Sequence, residues 1–140
     1  MPLSQVSSRW ASFAPYFHSL LRIVSGFMFT LAGTSKLFAY PVGMPPDNGV
    51  AVVGTQIWFG GVLEAVGGLL IMIGLFTRPV AFLLAGEMAV AYFQFHFPKS
   101  PWPTVNGGVA AVLYCYIFFW LSAAGAGPWS VDAMRGRRRA

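Results

Sequence analysis

Residues 53–76 read VGTQIWFGGVLEAVGGLLIMIGLF and carry a single charged side chain, that of Glu64. The stretch is longer than the roughly 20 residues that a helix needs to cross about 30 Å of hydrocarbon. Small residues recur along it, which lets one membrane helix approach another backbone to backbone. They are Gly60, Gly61, Ala65, Gly67, Gly68 and Gly74. The stretch therefore predicts a transmembrane helix with a close helical neighbour and one carboxyl group at membrane depth.

Three further stretches have a similar length and composition: residues 16–38, 79–97 and 104–124. Residues 75–79 join the second span to the third in a tight antiparallel turn, in which we expect Thr77 to cap the next helix and Pro79 to occupy its first turn. Three prolines between the third and fourth spans forbid a continuous helix there. The chain is thus predicted to be all-α, with one domain over residues 1–140, as an integral membrane four-helix bundle.

The overall composition agrees with lipid as the solvent of this chain. Hydrophobic residues make up 56% of the 140 residues and charged residues only 9%, whereas a soluble domain carries about a quarter. The net charge of +5 does not indicate a nucleic-acid partner, because four of the nine cations fall in the last six residues. These are Arg135, Arg137, Arg138 and Arg139. A basic tail beside a hydrophobic helix is more simply a topology signal or a contact to anionic lipid.

The distribution of cations sets the predicted orientation. With the N-terminus inside, seven cations lie on the cytoplasmic side or just within it, and two, Lys36 and Lys99, lie outside. The seven are Arg9, Arg22, Arg78 and the four arginines of the tail. Cytoplasmic loops carry an excess of lysine and arginine. Both termini are therefore predicted to be cytoplasmic.

Four charged residues fall inside the predicted spans: Arg22, Lys36, Glu64 and Glu87. Each costs about 2.5–3.5 kcal/mol or more at the bilayer centre, which makes intramembrane charges candidates for function. A stripe at helical spacing holds both cations of the first span, and it consists of Arg22, Gly26, Gly33, Lys36 and Tyr40. Estimated depths pair Lys36 with Glu64 and Arg22 with Glu87, while Gln94 shares the helix face of Glu87. These pairs either fix helix register or belong to a working site.

A quinone is the candidate ligand of the outer half. A quinone site needs a hydrophobic slot with one or two hydrogen-bonding groups, and Lys36, Glu64 and His96 are the available set. The simpler interpretation of His96 is an interfacial polar residue near the end of its span. Two distant histidines, a single cysteine (Cys115) and two separated glutamates do not have the spacing of a metal site. No catalytic residue is identified, and Cys115 cannot form an internal disulfide.

Several sequence segments resemble the DoxX family of small bacterial membrane proteins. The first is LRIVSG at residues 21–26, followed by Phe29, Gly33 and Lys36-Leu37. EAVGGLL at residues 64–70 and GLFTR at 74–78 come next, and then Glu87-Met88 and Ala91. Asn106-Gly107 and GAGPWSVD at residues 125–132 complete the set. The order of these segments together carries the resemblance.

The resemblance implies a multi-pass four-helix bundle in the bacterial plasma membrane. Proteins of this kind are named for a subunit of a thiosulfate:quinone oxidoreductase, and others are linked to thiol-oxidant defence in membrane assemblies. The implied fold is similar to that of vitamin K epoxide reductase, whose cysteine pairs this chain lacks. Two hypotheses follow: a membrane subunit of a redox, quinone-linked complex that depends on partner subunits, or a non-catalytic protein that assembles or stabilises a membrane complex.

Overall fold

The computed structural model describes residues 3–138, and its regular secondary structure is helical throughout that range. The helices are α1 Leu3–Ser12, α2 Ala14–Phe38, α3 Gln56–Ile73, α4 Thr77–Ala91, α5 Pro103–Asn106, α6 Val109–Ala124 and α7 Val131–Arg137. A π-helical segment, Tyr92–His96, continues α4 directly. Met44 and Gly49 form an isolated antiparallel bridge in the first loop. The all-α prediction is therefore confirmed.

Helices α2 and α3 pack with their backbones in contact. A Cβ atom placed on Gly33 would lie 2.2 Å from the amide nitrogen of Ala65, and one on Gly26 would lie 2.4 Å from that of Met72. A Cβ atom placed on the facing glycine of α3, Gly68, would lie 2.6 Å from the amide nitrogen of Thr30. Side chains larger than hydrogen would force the two helices apart, so these glycines set the interhelical distance.

Helices α4 and α6 form the second closely packed pair and contribute most of the apolar core. Its fully buried members include Ala81, Leu84 and Ala85 from α4, and Phe118 and Leu121 from α6. Phe29 of α2 joins this core through an edge-to-face contact with Phe118, with ring centroids 4.8 Å apart. Small residues at four-residue intervals on α4 thus let α6 approach, as they do for α2 and α3.

The turn between α3 and α4 differs from its prediction in one respect. Gly74 ends α3 in the left-handed conformation, and α4 begins at Thr77. The hydroxyl of Thr77 caps nothing; it is buried and has no hydrogen-bond partner within residues 3–138. Asp132, from the far end of the chain, accepts hydrogen bonds from the amides of Phe76 and Thr77 at 3.0 and 2.9 Å. A carboxylate at a helix N-terminus also complements the helix dipole, which a threonine hydroxyl cannot do as well.

Large apolar side chains cover the outer faces of the packed helices. Exposed examples are Val24 and Phe27 on α2, Val66 on α3, Phe82 on α4 and Phe119 on α6. Among the described helices, α3 alone is both long and apolar enough to cross a membrane by length and composition, and α6 is apolar but shorter. The charged span residues Arg22 and Glu64, in contrast, are buried.

The predicted spans differ from the observed helices mainly at their ends. Helices α1 and α7 were not predicted, and the fourth predicted span is divided by the break at Gly107-Gly108 between α5 and α6. Tyr40 does not continue the buried stripe of α2, because the helix ends at Phe38 and the Tyr40 side chain is exposed. Arg139 lies outside the described residues.

Candidate functional site

Lys36 and Glu64 form an ion pair between α2 and α3. The Lys36 ammonium donates a hydrogen bond to Glu64 Oε2. Only 6% of the Glu64 side chain is exposed, against 28% of the Lys36 side chain. The close α2–α3 contact allows this pairing, because α3 has no side chain at Gly61. A Cβ there would lie 3.0 Å from Lys36 Cβ. The two residues thus meet where their estimated depths place them.

Glu87 of α4 adds a second carboxyl group to this pair. It interacts electrostatically with both Glu64 and Lys36. Its Oε1 would lie 3.2 Å from a Cβ on Gly60, so the side chain points at the glycine-rich face of α3. Its Oε2 is buried and accepts no hydrogen bond from any residue in the described range. We refer to Lys36, Glu64 and Glu87 as the Lys36 cluster.

The observed helix ends explain why Glu87 belongs with Glu64. Helix α3 ends at Ile73 and α4 begins at Thr77. At 1.5 Å per residue, Glu64 therefore lies about 13.5 Å and Glu87 about 15 Å from the turn. The predicted boundaries, Phe76 and Pro79, placed the two carboxyl groups farther apart in depth. The sequence signal that could have joined them is the position of Gly74, a favoured residue just after a helix end.

Arg22 does not pair with Glu87. Its side chain is fully buried, and its guanidinium donates to main-chain carbonyls only, in two separate segments. The guanidinium nitrogens donate to the carbonyls of Ile71 (2.6 Å) and Met72 at the end of α3. They also donate to the carbonyls of Ala126 (2.7 Å) and Trp129 in the tail. The final carbonyls of a helix have no intrahelical partner and carry partial negative charge. These carbonyls compensate the charge of Arg22 at the level of the α3–α4 turn, far from Glu87 along the helix axes.

The tail, residues 125–132, is held against the same end of the molecule. The His18 ring lies 2.8 Å from the Gly125 carbonyl through Nε2, and its Nδ1 accepts a hydrogen bond from the Trp120 indole. Asp132 binds the α4 N-terminus, and its own amide donates to the Gly74 carbonyl at 2.9 Å. The tail and its partners Arg22, His18 and the α3–α4 turn form what we call the tail clamp.

Gln94 and His96 belong to neither group of charges. Gln94 exchanges two side-chain hydrogen bonds with Gln56 at the start of α3. His96 lies in the π-helical segment, where its Nδ1 is 3.1 Å from the Asn106 carbonyl and its ring stacks on Tyr92. The structure therefore joins Lys36 to Glu64 and places His96 in a separate polar group with Tyr92 and Asn106. His96 follows Glu87 by nine positions, and at 3.6 residues per turn this spacing already places it on nearly the opposite helix face.

An apolar cavity of about 560 Å³ lies between α4 and α6. Its wall is aromatic and includes Tyr92, Trp102, Tyr116 and Phe119, with the Cys115 thiol among them. The Tyr92 hydroxyl donates to the Pro101 carbonyl at 3.0 Å, next to the cavity. Ligand pockets commonly have this size and this apolar lining. Lys36, Glu64 and His96 are not part of this wall.

Comparison with known proteins identifies the family. The DoxX family profile matches residues 17–97, more than half of the chain. An uncharacterized protein of Haemophilus influenzae (strain ATCC 51907 / DSM 11121 / KW20 / Rd) is 42% identical over 123 residues, covering 86% of this chain and 91% of that protein. This chain belongs to the DoxX family. No solved structure matches it.

DoxX proteins are membrane-associated, which accounts for the apolar outer faces of these helices. The matched region of this DoxX chain contains Arg22 and the whole Lys36 cluster. The α6 wall of the cavity and the tail follow the matched region. The chemistry available in this chain is thus an ionisable group on three helices and, separately, an apolar cavity lined in part by Cys115.

Proposed function

We propose that this DoxX protein is a multi-pass subunit of a larger redox, quinone-linked complex in the bacterial plasma membrane. In this proposal α2, α3, α4 with its π-helical extension, and α6 are the four spans of a membrane bundle. The observation that supports it is the inverted distribution of side chains: ionisable groups are buried between helices, whereas large apolar side chains cover the outside. In lipid this arrangement leaves few charges uncompensated.

A quinone is the ligand that best fits these features in the proposal. Its reduction takes up two electrons and two protons, and its ring and apolar tail require a hydrophobic slot. The cavity between α4 and α6 supplies such a slot, while the Lys36–Glu64 ion pair lies outside its wall, between α2 and α3. His96 lies beside Tyr92 at the cavity end of α4. In this scheme a partner subunit supplies the electrons.

The second candidate function is a non-catalytic subunit that assembles or stabilises a membrane complex. The tail clamp favours it, because many hydrogen bonds there serve only to fix the chain end against the helices. The two candidates differ in one measurable property. A quinone-linked subunit binds quinone, and the activity of its complex depends on that site, whereas an assembly subunit affects only the amount of intact complex.

The complex can be tested by purification from native membranes in a mild detergent, followed by mass spectrometry and quinone analysis. We expect a redox subunit and bound quinone to copurify. Filling the cavity with Val112→Trp should then remove the quinone and the quinone-dependent turnover while the complex stays intact. Loss of the complex without loss of turnover per complex would favour the assembly role. Quinone reduction by the purified chain alone, without a partner, would overturn the subunit proposal.

The proposed topology places both termini and Arg78 in the cytoplasm and Lys99 outside. It is tested with an impermeant thiol reagent on intact cells, using single cysteines in a Cys115→Ala background. We expect labelling of Lys99→Cys and none of Arg78→Cys. Labelling of Arg78→Cys alone would reverse the orientation, and labelling of both would contradict the number of spans.

A further inference from the structure

The charges of the Lys36 cluster do not balance. Two carboxyl groups, on Glu64 and Glu87, share one ammonium, on Lys36. The ammonium is engaged by Glu64, so a charged Glu87 would be an additional buried anion whose Oε2 has no partner among the described residues. An unpaired buried charge costs several kcal/mol in protein interiors. The cluster therefore lacks one positive charge.

Within the described residues, the helices around the cluster supply no second cation at its level. Arg78 of α4 is nine positions from Glu87 and donates to the Ser122 and Ala123 carbonyls. On α2, Arg22 is fourteen positions from Lys36 and is engaged in the tail clamp. Helix α6, which packs against α4, has no lysine, arginine, aspartate or glutamate; its titratable groups are Tyr114, Cys115 and Tyr116. In the first loop, which bonds to α2 through the Ala51 amide and the Lys36 carbonyl, Asp47 is exposed and of the wrong sign.

We propose that the Lys36 cluster is a proton-binding site in which Glu64 and Glu87 together hold one exchangeable proton. A neutral carboxylic acid removes the charge imbalance and costs far less to bury than a carboxylate. The bond made and broken is the O–H bond of one carboxyl group, and the proton passes to or from water. Lys36 is the more exposed member of the ion pair, so the cluster opens outward on its side.

This site is independent of the quinone proposal, because it rests on the charge count and not on any ligand. The proposal also predicts a different protonation state for Glu87 than a purely structural role would. A structural carboxylate would be fully ionised and paired, whereas a proton-binding carboxyl group would be protonated near neutral pH and would exchange with solvent. The single ammonium makes a further prediction: removing it should raise the number of bound protons by one.

Infrared spectroscopy of the full chain in lipid nanodiscs, with glutamate labelled by ¹³C, tests the proposal directly. At neutral pH we expect the wild-type protein to show the C=O band of one protonated glutamic acid, shifted in ²H₂O. Glu87→Gln should abolish the band, and Lys36→Met should double its intensity. Asp47→Asn serves as the exposed control and should leave it unchanged.

The wild-type spectrum alone can overturn the proposal, so it stays testable even where a variant fails to fold. Absence of a protonated glutamic acid band at neutral pH would refute it. A carboxylate band that responds to Na⁺ at constant pH would assign the missing charge to a metal cation and would also refute it. Because the sequence holds two glutamates, Glu64 and Glu87, a band that persists in Glu87→Gln would show a protonated Glu64 beside Lys36 and would refute the sharing of one proton.

Discussion

The two cations of α2, buried Arg22 and half-buried Lys36, lie toward opposite ends of the helix and are neutralised in different ways. Arg22 is surrounded by main-chain carbonyls, whose partial charges are fixed by the backbone and cannot titrate. Lys36 is paired with a carboxylate and lies within electrostatic reach of another. The direct hydrogen-bond partners of Arg22 therefore only hold the fold together. The Lys36 end contains groups that can gain and lose protons.

The largest expected effect is that of Arg22→Met. The substitution leaves the carbonyls of two segments without a donor, and hydrogen bonds to charged groups contribute about 1.5–3 kcal/mol each. We expect the free energy of unfolding to fall by about 3–5 kcal/mol in a detergent titration. Arg22→Lys should recover only part of it, because one ammonium cannot bind carbonyls in a planar fork.

Arg78→Met is the matched control, since Arg78 also binds carbonyls, those of Ser122 and Ala123, but is exposed. Its effect should stay near 1 kcal/mol or less, about that of an ordinary hydrogen bond. A stable Arg22→Met protein that has lost its function would break the comparison, because it would give the Arg22 end a functional role.

The second test compares one glycine at each end. A Cβ on Gly74 would lie 2.4 Å from Ser130 Cβ and 3.0 Å from the Arg22 guanidinium carbon, at a φ of +71°. On Gly61 it would meet only the side chains of Lys36 and Leu37, at 3.0 Å or more. Gly74→Ala combines backbone strain with steric overlap, so we expect it to lower the free energy of unfolding by about 2–3 kcal/mol.

We expect Gly61→Ala to cost about half as much, since side chains move more easily than a clamped tail. Gly86→Ala, where nothing lies within 4 Å of the new methyl group, should be neutral or slightly stabilising in the same unfolding measurement. Equal losses for Gly74→Ala and Gly61→Ala would mean that the two ends are equally rigid.

A double-mutant cycle on Lys36→Met and Glu64→Gln sharpens the comparison from the other end. Each single change leaves one member of the pair without its partner, whereas the double change removes both charges. We expect a coupling energy of about 1–3 kcal/mol between the two changes in thermal or detergent unfolding. Strictly additive effects would show that the ion pair does not stabilise the fold.

Apart from the control substitutions, the smallest expected effect is that of Asp132→Asn at the tail clamp. The carboxylate accepts from two amides at the N-terminus of α4, and an amide oxygen can replace it at one position only. Loss of a charged cap costs about 1 kcal/mol. Asp47→Asn, in the exposed first loop, should change the free energy of unfolding by less than about 0.5 kcal/mol. A neutral Asp132→Asn would mean that the other contacts of the tail clamp hold the tail without this carboxylate.

Hydrophobic pattern and small-residue spacing were enough to predict the long helices and a close helical neighbour for α3. The Lys36–Glu64 contact also followed, because both residues lie on glycine-rich faces at similar depth. The partners of Glu87 and Arg22 could not be predicted in the same way. A shift of three residues in a helix end moves a side chain by about 4.5 Å along the axis, which is enough to exchange one partner for another.

The sequence by itself determined the helical class, the family and the set of groups that are costly to bury, because composition and periodicity are local properties. Only the tertiary structure decided which backbone carbonyls surround Arg22, since they come from segments about 50 and 105 residues away. It likewise decided that Asp132 caps α4 and that Glu87 faces the Lys36–Glu64 pair. Such contacts depend on where each helix ends and how the tail folds back, and no local pattern encodes either distance.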